Sequence, residues 1–210
     1  MTLVLAHRGA SWNAPENTLA AFELAIEERA DYVEFDVRAA PDGRLLVAHN
    51  PIRGTVSPGT PTLDEALEAL HGRVGLAVEA KDAAAMRGVL AAVKAHRIPP
   101  DELLLVSFRI RQLWHAQRSR PDLRYILNLG RRPDPVAATR FWGVGFRDGS
   151  ARPKGIALAK THGLATTVFT VNDPARMEEL AALAVDGIFT DRPGLAREVL
   201  AKQEARSSRT

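Results

Sequence analysis

The chain carries 210 residues, 46% apolar and 25% charged, with a formal charge of +3 and no cysteine. That is ordinary globular composition at a length that suits one α/β barrel domain. It excludes a disulfide framework, a thiolate nucleophile and a cysteine zinc site, and no apolar run approaches the ~18 residues of a membrane span. The opening MTLVLA meets His7-Arg8 too early to form a signal peptide, so a cytoplasmic setting is expected. Arginines and lysines are scattered rather than striped, which argues against a nucleic-acid partner.

In chain order, the first apolar run, LVLA at 3–6, predicts a strand that ends on His7-Arg8-Gly9. A helix follows over 18–28, with Asn17 or Thr18 as its cap. YVEFDV at 32–37 predicts the second strand. Asp42-Gly43 is a hairpin signal, and it predicts an extra strand over 44–49 closing on His49. Thr62 with Glu65 three residues later forms a capping box for a helix over 63–70. The strand VGLAVE at 74–79 then leads through Lys81 to a helix over 83–96.

Strands LLLVS (103–107), RYIL (124–127), WGVGF (142–146), TTVFTV (166–171) and GIFT (187–190) continue the alternation. The helices between and after them are expected at 109–118, 135–140, 153–162, 174–183 and 194–200. Asp173 before Pro174 reads as a cap with proline at the first helical position. His71, His96, His115 and His162 fall in or at the ends of these helices and have no catalytic part in this reading.

Eight βα units predict a single closed (β/α)8 barrel, with a β-hairpin after strand 2, over residues 1–201. The polar stretch 202–210 is expected to be a flexible tail. An open doubly wound sheet would place a glycine-rich phosphate loop after its first strand, whereas this strand ends in HRG. In barrels the chemistry sits at the carboxyl ends of the strands. His7, Glu34, Asp36, Glu79 and Lys81 all fall there.

Glu34 and Asp36 are two apart and share one face of a strand, as do Glu79 and Lys81. Val33, Phe35 and Val37 occupy the opposite face, as expected of a strand covered by helices, which turns the carboxylates into the barrel. Carboxylates packed this closely repel unless a cation compensates, and a divalent ion held by oxygens is the simplest compensation. On its own, a pair such as Glu79 and Lys81 also reads as a plain buried ion pair.

AHRGA, APENT, VEFDV, PDG, the His at 49, VEAK, TVN and DGIFTDRP occur in that order from Ala6 to Pro193. Together they resemble the glycerophosphodiester phosphodiesterase family. The resemblance implies a metal-dependent barrel enzyme that cleaves glycerophosphodiesters to glycerol 3-phosphate and an alcohol. It places Glu34, Asp36 and Glu79 on metal-ligand positions and His7 and His49 on the acid/base pair. Arg8 falls on a phosphate-contacting arginine and Lys81 on the lysine of the site. Oxygen ligands suit Mg²⁺, Ca²⁺ or Mn²⁺. The expected partner is the small-molecule glycerophosphodiester substrate, with no nucleic acid and no membrane span.

The chain also departs from the family pattern. Asn50 stands after His49 where Asp is usual, and Phe169 stands where Trp is frequent. The connection from 50 to 62 is short where relatives carry an inserted subdomain, which predicts an open mouth and weak discrimination among alcohols. Trp12, Glu16 and Phe169 are the candidate walls of the substrate pocket. Asn172 and Asp191 read as hydrogen-bonding scaffold. A lysophospholipid-cleaving barrel and a non-catalytic phosphate- or metal-binding barrel are the rival readings.

Overall fold

A computed structural model describes residues 2–52, 54, 56–131 and 133–207. Eight parallel strands close into a barrel: β1 (Leu3–His7), β2 (Tyr32–Ala39), β4 (Gly75–Ala80), β5 (Leu103–Ser107), β6 (Arg124–Asn128), β7 (Gly143–Arg147), β8 (Ala165–Phe169) and β9 (Gly187–Thr190). β1 pairs with both β2 and β9, which closes the ring. β3 (Leu45–Val47) lies antiparallel on β2 outside it. Helices α1 (Leu19–Glu27), α2 (Leu63–Leu70), α3 (Ala83–Ala95), α4 (Ile110–Ser119), α5 (Pro153–Thr161), α6 (Pro174–Ala182) and α7 (Pro193–Ser207) form the outer layer.

Strand parity builds two cores. One set of side chains, among them Val33, Phe35, Val78, Leu105 and Phe146, packs outward against the helices. The alternate set, Leu5, Ala77, Leu104, Val106, Ile126 and Phe189, fills the barrel. Interior glycines make room for their neighbours. A Cβ on Gly75 would sit 2.5 Å from the Tyr32 ring, and one on Gly187 would sit 2.7 Å from Leu5.

At the amino ends of the strands, two carboxylates tie neighbouring elements together. Asp31 accepts the Val4 backbone N–H at 2.7 Å and pairs with Arg197. Asp186 accepts from both the backbone N–H and the hydroxyl of Thr166, at 2.7 and 2.9 Å. The caps follow expectation at α2, where Thr62 and Glu65 complete the capping box, and at α6, where Asp173 accepts from Arg176 N.

Three sequence expectations shift. The hairpin strand spans only Leu45–Val47, so His49 lies beyond it, although Ala48 N still bonds to Asp36 O. The helix expected at 135–140 is a single 3₁₀ turn, Pro135–Ala138. Pro133 and Pro135 punctuate a connection of only the residues 129–142 between β6 and β7, and the prolines withhold the donors a longer helix requires. The last helix runs on to Ser207, through most of the segment expected as a tail, while 208–210 lie outside the described residues.

Candidate active site

β1 ends in a sharp turn. Arg8 takes φ +57° and Gly9 φ +82°, and a Cβ on Gly9 would lie 2.6 Å from the Ala21 backbone of α1. Glycine is therefore required at position 9 both for its backbone and for its lack of a side chain. A non-glycine residue in the left-handed region stores strain of about 1–3 kcal/mol, which surrounding contacts must hold. Those contacts belong to the site. Arg8 N donates to Glu34 Oε2 at 2.9 Å, its Nη1 donates to Glu16 at 2.7 Å, and its Nε lies 3.1 Å from Asp36 Oδ2.

The three carboxylates come together at the ends of β2 and β4. Asp36 pairs in register with Glu79, and one oxygen from each of Glu34, Asp36 and Glu79 falls within 4.8 Å of the others. Lys81 Nζ bridges Asp36 Oδ1 at 2.6 Å and Glu79 Oε1 at 2.7 Å. Asn17 (φ +58°) is not the helix cap, since Thr18 caps α1. Instead Asn17 Nδ2 donates to Asp36 Oδ2, and its Oδ1 accepts Asp36 N–H. Asn tolerates that backbone better than most residues, so the N of PENT is spent on orienting a carboxylate.

These surroundings separate the three acids. Burial opposes charge on Asp36, but Lys81, Asn17 and Arg8 outweigh it and hold the carboxyl below its usual range. Glu34 receives less compensation, and burial together with the Asp36 charge pushes it up to about 8. Burial also raises Glu79. Glu34 Oε1 and Glu79 Oε2 accept no hydrogen bond among the described residues. A buried, oxygen-only set with one uncompensated acid and two free oxygens fits a hard divalent cation.

His7 Nδ1 lies 2.7 Å from Asp191 Oδ1, which leaves Nε2 as the ring nitrogen free for chemistry. Asp191 is itself fixed by Ser11 Oγ at 2.9 Å and Asn172 Nδ2 at 2.6 Å. Burial pulls the His7 pKa down, but the bond to Asp191 and the Glu34 charge overcome it, and the net shift is upward. Asp191, held by His7, Asn172 and Ser11 against the cost of burial, drops to about 2. His49 moves the other way. Burial lowers it, and Arg8 and Lys81 add to that against the Asp36 charge and a bond to Asn50.

His7, Arg8, Glu34, His49, Glu79 and Lys81 border one cavity of about 660 Å³ at the barrel mouth, and Asp36 lies beneath it. Its opposite wall is Val106, Phe108, Phe169 and Phe189, with Phe108 and Phe169 in edge-to-face contact at 5.5 Å. Of the candidate walls, Phe169 lines the cavity. Glu16 borders an adjoining depression that shares His49. Trp12 stands on the rim, 60% exposed, with Arg192 over its ring at 4.7 Å. Sequence reasoning missed Arg147 and Asn128 on the far wall. The buried Asn128 Oδ1 has no partner among the described residues, and Gly145 gives it room, since a Cβ there would lie 2.0 Å away.

The model of the glycerophosphoryl diester phosphodiesterase family matches residues 7–66 and 55–195. The chain belongs to that family of enzymes. The glycerophosphodiester phosphodiesterase of Bacillus subtilis is 23% identical over 94% of this chain and 86% of its own length. The enzyme of the same name from Bacillus altitudinis is 27% identical over 95% and 98%. The solved structure of a glycerophosphodiester phosphodiesterase from Agrobacterium tumefaciens superposes with a TM-score of 0.82 at 29% identity, covering 96% of this chain and 100% of that one. An Oleispira antarctica phosphodiesterase, solved with its product sn-glycerol 3-phosphate, shares the fold with a TM-score of 0.87 at 24% identity over 96% and 97%. Among the described residues no helix is long and apolar enough to cross a membrane.

Proposed function

We propose that this family member hydrolyses small glycerophosphodiesters to glycerol 3-phosphate and an alcohol, with a divalent cation held by Glu34, Asp36 and Glu79. The carrying observation is the convergence of those three buried carboxylates with two histidines on one cavity. A bound divalent ion would neutralise phosphoryl charge as a Lewis acid. Arg8 offers planar, geometry-specific donors to a phosphate, and Lys81 adds a point charge. Arg147 brings a third cation to the far wall.

The two histidines divide the proton transfers. Groups whose surroundings push their pKa values apart take opposite roles. His7, raised and braced by Asp191, donates its Nε2 proton to the departing alkoxide. His49, lowered by burial and by Arg8 and Lys81, takes the proton of the attacking oxygen. Phe108, Phe169 and Phe189 give the cavity an apolar wall beside its charged one.

Phosphorus NMR of the purified protein with glycerophosphocholine, glycerophosphoethanolamine and a lysophospholipid, with and without chelator, tests this reading. Glycerol 3-phosphate from the first two, lost on chelation and restored by one of Mg²⁺, Ca²⁺ or Mn²⁺, is the expected result. Cleavage of the lysophospholipid alone would support the rival substrate, and no turnover with any cation would support a binding barrel.

A further inference from the structure

The even charge balance of the whole chain hides an asymmetry. Residues 108–149 hold nine arginines, three aspartates, no lysine and no glutamate, a formal +6 that leaves the rest of the chain at −3. Two of the three aspartates are engaged, Asp122 with Arg120 and Asp148 with Arg176. Arg109, Arg111, Arg118, Arg131, Arg140 and Arg147 are exposed, and no carboxylate pairs with them among the described residues.

The same stretch holds four of the seven large apolar side chains that stand exposed among the described residues: Phe108 at 50%, Ile110 at 44%, Trp114 at 39% and Val136 at 45%. Ile110 and Trp114 line one groove; Val136 precedes Ala137 of the same groove, and Phe108 lies two residues before Ile110. Because the β6–β7 connection supplies only a 3₁₀ turn in place of a helix, the barrel's outer layer is thin there. A groove of about 350 Å³ opens between α4 and Phe141, lined by Ile110, Trp114, Ala137 and Phe141 and flanked by Arg111 and Arg140. Arg118 stacks over the Trp114 ring at 5.3 Å. Phe108, two residues before Ile110, borders the active-site cavity.

We propose that this face docks the protein on an anionic lipid surface, with the barrel mouth held beside the headgroups. Aliphatic and indole side chains ringed by unpaired arginines are the composition of an interfacial binding face. The apolar groups enter the headgroup boundary while the guanidiniums meet anionic lipid. A nucleic acid would meet the arginines but would leave Ile110 and Val136 without a partner, since its backbone contacts are made by polar and charged groups. An acidic membrane leaflet satisfies both. The inference concerns docking alone and stands or falls independently of the hydrolytic reading.

The test is co-sedimentation of the full chain with vesicles of phosphatidylcholine alone or mixed with phosphatidylglycerol, at low and high salt. Partition onto the mixed vesicles is expected, falling about tenfold or more at high salt. Ile110→Ser with Trp114→Ala, and separately Arg111→Glu with Arg140→Glu, are each expected to cost about tenfold in partition. Thermal melts check that both variants remain folded, and Arg87→Glu, an exposed charge on α3, is the control that should bind as the wild type does. Equal binding to neutral vesicles, equal loss in the control, or undiminished binding by both double variants would overturn the proposal. So would a single-stranded oligonucleotide that binds more tightly than the vesicles, or a concentration-dependent dimer abolished by the Ile110/Trp114 change.

Discussion

The two ends of this barrel use the same side chain for opposite purposes. At the amino ends of the strands, Asp31 and Asp186 each accept a backbone N–H, and each has a second donor in Arg197 or the Thr166 hydroxyl. At the carboxyl ends, Glu34, Asp36 and Glu79 crowd within 4.8 Å, and Glu34 is held near pKa 8 by burial and a like charge. A carboxylate with donors on every side contributes to the fold, whereas one facing its own kind is tolerated only for what it can bind. In (β/α)8 barrels this division follows the direction of the strands.

The largest effect should come from the mouth. Glu34→Gln, Asp36→Asn or Glu79→Gln is expected to lower kcat/KM by at least about a thousandfold, or about 4 kcal/mol. Isothermal titration should show weakened cation binding in each. In the metal-free protein the same carboxylates should make stability depend on pH. Glu34 binds its proton more tightly when folded than at its ordinary 4.5, so the native state keeps protons that the unfolded chain releases. Stability should therefore fall as pH rises from about 4.5 to about 8, and thermal melts should show the slope flattened in Glu34→Gln. A metal-free protein whose melting temperature rises across that window would contradict the assignment.

The histidines come next. General acid catalysis is worth about 10²- to 10⁴-fold and matters least for a good leaving group. His7→Ala should lose far more activity on glycerophosphocholine than on a p-nitrophenyl phosphodiester, while His49→Ala should lose comparably on both. Asp191→Asn, which perturbs His7 without removing it, should cost about tenfold to a hundredfold, below that range. It should also lower the apparent pKa of the His7 limb, because the bond that raises it is weakened. An unchanged pH profile would reduce Asp191 to a structural part.

The floor should respond in the reverse sense. Asp186→Ala should destabilise by about 1–2 kcal/mol through its lost hydrogen bonds and leave kcat nearly intact. Denaturant melts and steady-state kinetics on one sample would separate the two ends. Smallest of all, Trp12→Ala should shift the ratio of choline to ethanolamine ester cleavage by less than about twofold. A free indole face could attract the choline cation, but Arg192 already covers one face of this ring.

Much of this was legible in the sequence, for reasons that particular residues illustrate. Alternation in YVEFDV placed Val33, Phe35 and Val37 against helices and Glu34 and Asp36 inside, because a strand has a period of two and one face here must be apolar. The caps at Thr62 and Asp173 are local chemistry and were read locally. Asp191 lies 184 positions from His7, and no spacing rule connects them, so it read as scaffold until the closing strand pair brought them together. Asn17 read as a cap because the residue type fits one, and only the left-handed turn turns its amide toward Asp36. The arginines of 108–149 read as scattered because exposure and pairing, rather than number, make them a patch.

The bond between Asp191 and His7 also bears on when the chain becomes competent. Both carboxylate strands and both histidines are encoded in the first 80 residues, so a ribosome has long since made the reactive groups before it reaches position 191. Until β9 slots beside β1, His7 lacks its anchor and the mouth has no closed wall. Competence therefore waits for the segment that carries β9 and Asp191, and a product truncated before it keeps the reactive residues without the arrangement that makes them an enzyme.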